Sequence, residues 1–254
     1  MTNMFRVFTL SVLATALVAC DCDVASNKNA DSSVVKEVEN VSLKEILTAD
    51  KQAALTPDEV IDQLKKGNEN FVSNQLTAID FSAQRSKAAT GQYPKAIVLS
   101  CVDSRVPVEN IFDLGIGDIF VARVAGNIEN KDIVGSMEYA TAVAGSKVVV
   151  VMGHTSCGAV KSAINNTDAA SMEMHSLQHL LDEIKPAMAS IETDGEKSSK
   201  NVSFTTDVVK NNAVKTVEDI RKQSPKMAAL EKEGKIKIVS ALYDIATGKV
   251  TFME

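Results

Sequence analysis

Residues 147–152 read KVVVVM, four consecutive valines with no polar residue among them. A strand with one wet face alternates apolar and polar side chains. A run this uniform suits a strand buried on both faces, as in the centre of a parallel sheet. Parallel strands need long crossover connections, usually helical, and the neighbouring sequence supplies them. Residues 96–100 (AIVLS) and 119–124 (IFVARV) read as further strands, and 235–245 as a late one, followed by the Ala-Thr-Gly turn and a short strand at 250–253. Residues 130–144 read as a helix with Ile133, Met137, Tyr139 and Ala140 facing in. Another helix begins near Ala159, and two more cover 172–189 and 207–223, with a polar surface loop over 192–203. Thr56-Pro57-Asp58-Glu59 has the form of a capping box with proline at the first helical position, and Val60, Ile61, Leu64 and Phe71 follow at helical spacing. The expectation is an α/β fold with a mostly parallel sheet flanked by helices.

The beginning of the chain is of a different kind. Residues 7–19, VFTLSVLATALVA, are apolar but shorter than the roughly 20 residues a membrane-spanning helix needs. They read as a signal peptide. They end in Leu17-Val18-Ala19-Cys20, which resembles a bacterial lipobox. That resemblance implies a lipidated Cys20 and an exported, periplasmic protein held at a membrane by its acyl chains. Ordinary cleavage near Ala19, with Cys20 and Cys22 left as thiols or a disulfide, is the alternative. The chain therefore divides into a leader at 1–20, a flexible tether at 21–50 rich in Asn, Asp, Ser and Val, and a folded domain at 51–254. A net charge of −6, with no basic patch interleaved with aromatics, argues against a nucleic-acid partner. With no Trp and 4% aromatic residues, the core has to be aliphatic. No glycine-rich phosphate loop follows the first strand, so nucleotide binding has no support.

The chemistry-bearing residues gather at strand ends. Residues 100–105, SCVDSR, place Cys101, Asp103 and Arg105 at alternate positions just beyond the first strand, and His154 and Cys157 follow the valine run. Sites in open parallel sheets form outside the carboxyl ends of the strands, so both groups land on one edge. Two thiolates and an imidazole make a zinc-type ligand set with one tetrahedral position left over. Asp103 or water can fill that position. Arg105 competes for Asp103, because a guanidinium holds a carboxylate bidentately. If Arg105 wins, a zinc-held water with a pKa near roughly 7 becomes a hydroxide nucleophile at neutral pH. A Cys101–Cys157 disulfide and an ordinary surface pair of Asp103 with Arg105 are the plain alternatives. The Gly158-Ala159 pair is expected to give the Cys157 loop its close entry into the next helix.

Cys101-Val102-Asp103-Ser104-Arg105 followed by His154-Thr155-Ser156-Cys157 resembles the zinc motif pair of the β-class carbonic anhydrases. GQYPKAIVLSC before it, RVAGN (123–127) and SMEYA (136–140) between, GAVK (158–161) after, and ALYDIATGKV (241–250) are similar too, so the resemblance covers roughly residues 56–254. It implies a zinc lyase that reversibly hydrates carbon dioxide to bicarbonate and a proton, on a mainly parallel sheet of about four strands with an antiparallel extension. It implies one Zn²⁺ per chain on Cys101, His154 and Cys157, with Asp103 either the fourth ligand of a closed form or the hydrogen-bond partner of the nucleophile, where Arg105 holds it. Gln92 matches a position that donates to bicarbonate, and Phe120 and Tyr139 match positions lining the pocket. Val98 stands where some bicarbonate-inhibited members carry Trp, so that regulatory site is not expected. The family pattern also implies a homodimer or homotetramer with the site at the subunit interface. Carbonyl sulfide or carbon disulfide as substrate, and a non-catalytic zinc- or bicarbonate-binding lipoprotein, are the alternatives. For the leader, Cys20→Ser is expected to move the protein from the membrane to the soluble fraction of lysed cells, and unchanged fractionation would remove the lipid anchor.

Overall fold

In a computed structural model, residues 43–253 are described. The leader, Cys20, Cys22 and the tether as far as residue 42 lie outside them. Three helices precede the sheet: α1 (Ala49–Ala54), α2 (Pro57–Val72) and α3 (Phe81–Ala88). Helix α1 starts just inside the boundary drawn for the tether at residue 50. The chain then runs β1 (Ala96–Ser100), the single turn α4 (Val108–Ile111), β2 (Ile119–Arg123), α5 (Lys131–Glu138) and β3 (Val148–His154). It continues through α6 (Gly158–Ile164), α7 (His175–Ile184), α8 (Val202–Gln223) and α9 (Pro225–Lys232) to β4 (Lys237–Tyr243) and β5 (Val250–Met253).

The strands form one sheet in the order β2-β1-β3-β4-β5. The first four are mutually parallel, and β5 returns antiparallel to β4. All seven residues of β3 are buried, as the valine run requires. Val148, Val150 and Met152 pack with Val60 and Leu64 of α2, while Val149 and Val151 pack with Ala213, Val217 and Ile220 of α8. Each buried valine contributes about 1.5–3 kcal/mol relative to exposure, so the central strand is the most strongly anchored element of the sheet.

Helix α2 forms as its sequence predicts. The Thr56 hydroxyl accepts from the Glu59 N–H at 3.3 Å, and the Glu59 carboxylate accepts from the Thr56 N–H at 2.8 Å. Three expectations need correcting. Residues 172–189 are not one helix: Glu173 takes a left-handed φ of +60°, and α7 passes into a tighter turn at Lys185–Met188 that contains Pro186. Helix α8 begins at Val202, five residues earlier than expected, because the Asn201 side chain caps it by accepting from the Phe204 N–H at 3.1 Å. Tyr139 does not face inward; it is 50% exposed. Beyond α5 the chain widens into a π turn, Tyr139–Val143, with the Ala144 N–H bonded to the Tyr139 carbonyl. Tyr139 itself is still in helical register, its N–H bonded to the Gly135 carbonyl, but it stands two residues past buried Met137 and so off the stripe of Ile133, Met137 and Ala140.

One contact fixes α2 against the sheet connections. A β-carbon on Gly67 would lie 1.9 Å from the Phe112 carbonyl oxygen. The next residue, Asn68, donates to the Ile111 carbonyl at 3.1 Å and the Gly248 carbonyl at 2.8 Å, and accepts from the Val250 N–H at 2.8 Å. Alanine is a better helix former than glycine by about 1 kcal/mol. Even so, Gly67→Ala is expected to destabilise the protein by on the order of 3 kcal/mol, because backbone cannot move aside as a side chain can. Urea unfolding measures this, and a variant as stable as the parent would show that the close approach is not real.

Candidate metal centre

Residues Ser100 of β1 and Met152 of β3 are register partners. Cys101 directly follows β1 and His154 ends β3, so both reach the same sheet edge. Two residues later the chain reverses at Ser156, whose φ is +59°, and Cys157 caps the start of α6. The close turn expected at Gly158 lies two residues earlier: a β-carbon on Gly158 would meet nothing within 4 Å, and Ser156 bears the left-handed conformation instead.

The thiols of Cys101 and Cys157 and a ring nitrogen of His154 lie within 4.8 Å of one another, all three residues buried. The His154 Nδ1 faces the carbonyl of Thr155 at 2.9 Å. A carbonyl only accepts, so Nδ1 carries the proton and Nε2 presents its lone pair. Nε2 is buried and has no hydrogen-bond partner in the protein. An unpartnered imidazole lone pair between two thiols fits a soft or borderline divalent metal, with Thr155 setting the tautomer as outer-shell carbonyls do around bound metals.

The thiols are poised to ionise. A hydrogen bond from Cys157, with further ones from the backbone, brings Cys101 down to about 4 against the pull of burial. Among the backbone donors, the Gly126 N–H lies 3.4 Å from the Cys101 sulfur. Cys157 is pushed up by the Cys101 thiolate it bonds to and by burial, so without a metal the pair retains one proton. Gly126 has a φ of +72°, and a β-carbon there would fall 2.5 Å from Ile184 Cδ1; the N–H can approach the sulfur because the residue has no side chain.

Asp103 sits at the lip of the cluster, its Oδ2 3.9 Å from His154 Nε2. It is turned to Arg105. Arg105 Nε donates to Oδ1 at 2.9 Å, Nη2 to Oδ2 at 2.8 Å, and the Arg105 backbone N–H to Oδ1 at 2.9 Å. These bonds, with the side-chain pair first, hold the carboxyl well below the usual carboxylate range. Arg123 adds a constraint that sequence reading passed over: its Nε donates to the Cys101 carbonyl at 2.9 Å and its Nη2 to the Asp103 carbonyl. The signal was present as a lone cation ending an otherwise apolar strand, IFVAR.

Gln92, Phe120 and Tyr139 are not brought to the cluster within one chain. Gln92 is exposed and precedes β1, at the opposite end of the strand from Cys101. Phe120 pairs with Ile97, four residues from Cys101, which is about 13 Å at strand rise. The Phe120 and Tyr139 rings lie together, centroids 6.0 Å apart, on the outer edge formed by β2.

Residues 96–250 match a family model described as carbonic anhydrase. The chain is 31% identical over 192 residues to carbonic anhydrase 2 of Mycobacterium tuberculosis, covering 75% of this chain and 90% of that one. It is 32% identical to a carbonic anhydrase of Mycolicibacterium smegmatis over 188 residues, 74% and 88% of the two chains. Among solved structures, the β-carbonic anhydrase CcaA superposes with a TM-score of 0.59 at 21% identity, over 78% of this chain and 87% of that one. Tetrameric β-carbonic anhydrases from Sordaria macrospora give 0.58 at 20% identity, over 77% and 97%. These two structural likenesses speak to the fold.

Proposed function

The chain belongs to the β-class carbonic anhydrases, and from that premise we propose that it hydrates carbon dioxide reversibly, CO₂ + H₂O giving HCO₃⁻ and H⁺, through one zinc ion held by Cys101, His154 and Cys157. The donor set carries this reading: two thiols, one of them strongly acidic, and an imidazole whose free lone pair has no partner in the protein. When bound, zinc supplies the Lewis acidity that makes water a nucleophile near neutral pH. The protein supplies the rest. Thr155 fixes the His154 tautomer. Asp103, kept anionic and aimed by Arg105, accepts the hydrogen bond of the attacking water and orients its lone pair toward carbon. The same two-pronged grip keeps the carboxylate from turning to the metal as a fourth ligand. No observation favours a sulfur-containing substrate or a binding-only role.

Stopped-flow carbon dioxide hydration on purified protein, with zinc determined on the same sample, tests the proposal. The expected result is about one zinc per chain and fast hydration. In Asp103→Asn, kcat/KM is expected to fall by about 10²-fold or more, as for loss of an acid–base partner, with zinc retained. Zinc-loaded protein hydrating at the buffer rate, or a fully active Asp103→Asn, would sink it.

We also propose that two copies pair across the β2 edge. Phe120, Tyr139 and Ile133 line an open cleft there, and Val143, which ends the turn that Tyr139 begins, is 72% exposed. If Gln92, Phe120 and Tyr139 contact substrate, only a second copy's can approach a given metal centre, because each chain's own lie at the far end of the sheet. The tetrameric Sordaria proteins are consistent with such pairing. Sedimentation is expected to show an oligomer that Val143→Asp dissociates, with hydration reduced and zinc unchanged; a monomeric parent overturns the pairing.

A further inference from the structure

A second cleft, of about 390 Å³, opens on the far side of the loop that carries the metal ligands. Its wall is built from Thr155 and Ser156, the two residues between His154 and Cys157, together with Lys161 of α6, Ser199, Lys210 of α8 and Asp244 of the β4–β5 turn. None of the side chains in this wall contributes to the metal cluster.

Thr205 and Thr206, also in the wall, already give their hydroxyl hydrogens to the Ser199 and Val202 carbonyls at 3.4 and 2.8 Å, while the other donors of the wall are largely unspent. The Thr155 hydroxyl accepts from the Ile245 N–H at 3.0 Å, so its own hydrogen remains to be given. The hydroxyls of Ser156 and Ser199 make no hydrogen bond among the described residues. Lys161 is half-buried and makes no ion pair among the described residues. Lys210 is paired with Asp207 at 3.0 Å, which takes one of its three N–H groups. The one carboxylate in the wall, Asp244, already accepts at Oδ1 from the Ala246 N–H at 2.9 Å, the Thr247 N–H at 2.8 Å and the Thr247 hydroxyl at 3.0 Å. Oδ1 is thereby committed to closing its own turn, while Oδ2 accepts no hydrogen bond among the described residues. A cation would find one half-engaged carboxylate against two ammonium groups. An anion would find two ammonium groups and three free hydroxyl hydrogens, arranged around a space wide enough for a hydrated tetrahedral ion.

We propose that this cleft binds a small inorganic oxyanion, with Lys161 as the principal charge and Ser156, Ser199 and Thr155 as hydroxyl donors. The occupant is an ion with several acceptor oxygens, of the phosphate or bicarbonate kind, since such an ion can engage donors on three sides at once. A charge-assisted hydrogen bond in a half-buried wall is stronger than its surface counterpart. Because Thr155 also fixes the ring of His154, occupancy touches the same short loop that positions two metal ligands. The proposal does not depend on zinc or on hydration, and binding is measured without either.

The test is calorimetric titration of the purified full chain with inorganic phosphate, ionic strength held constant with chloride. Amide chemical shifts locate the ion. The expected result is saturable binding of one phosphate per chain, with shifts at Ser156, Lys161 and Ser199, competed by added bicarbonate. Lys161→Ala is expected to weaken binding about tenfold, equivalent to roughly 1.4 kcal/mol, and Ser199→Ala several-fold, while Lys161→Arg keeps most of it. Non-saturating heat that follows ionic strength alone would overturn the proposal. So would saturable binding whose affinity is the same in Lys161→Ala and Ser199→Ala as in the parent, since the ion would then sit elsewhere.

Discussion

Valines on both faces of β3 are each pressed against a helical layer, Val148 and Val150 toward α2 and Val149 and Val151 toward α8. A slip of one residue would exchange the two sets and misfit both layers at once. That two-sided packing fixes how far β3 reaches, and with it the height of His154. The parallel register then sets β1 beside it, so Cys101 emerges at the same level. The metal centre owes its geometry to side chains that take no part in chemistry, which is the usual way a rigid scaffold positions reactive groups.

Around that centre, charge is arranged in two tiers. Below are the thiols and the imidazole, buried and dry, where ionisation is costly unless a partner is at hand; the Gly126 N–H and the mutual thiol contact provide it. Above is Asp103, gripped by Arg105, with Arg123 tying the carbonyls of both Cys101 and Asp103 to β2. Two arginines thus hold one short loop, Arg105 through the Asp103 side chain and Arg123 through the backbone carbonyls. The loop is rigid at the point where a small change in carboxylate direction would change its role.

Much of this was legible in the sequence, because the signals were local. The valine run needs no partner to be read, the capping box at Thr56 is complete within four residues, and the two ligand motifs fall where strands end. What was misread went by residue type or depends on distance. Tyr139 was assigned inward as an aromatic, although it stands off the stripe that Ile133, Met137 and Ala140 make along the helix. Asn201 was hidden in a polar stretch that looks like loop until its cap is seen. Gln92, Phe120 and Tyr139 carry the right residue types, yet nothing in the linear order tells that a strand's length separates them from the cluster in their own chain. The reversal before α6 was placed on a glycine by residue type, whereas the backbone places it on Ser156.

Asn68 joins the connection after β1 to the hairpin that closes the sheet, and its bond to Val250 spans 182 positions of sequence. A chain that emerges from its N-terminus forward makes α2 early but cannot seat it. Two of the three groups that satisfy Asn68, the Gly248 carbonyl and the Val250 N–H, lie 180 and 182 positions later, and contacts of such long range are slow to form. Seating α2 is thus tied to closure of the β4–β5 hairpin and not only to contacts near it in the chain.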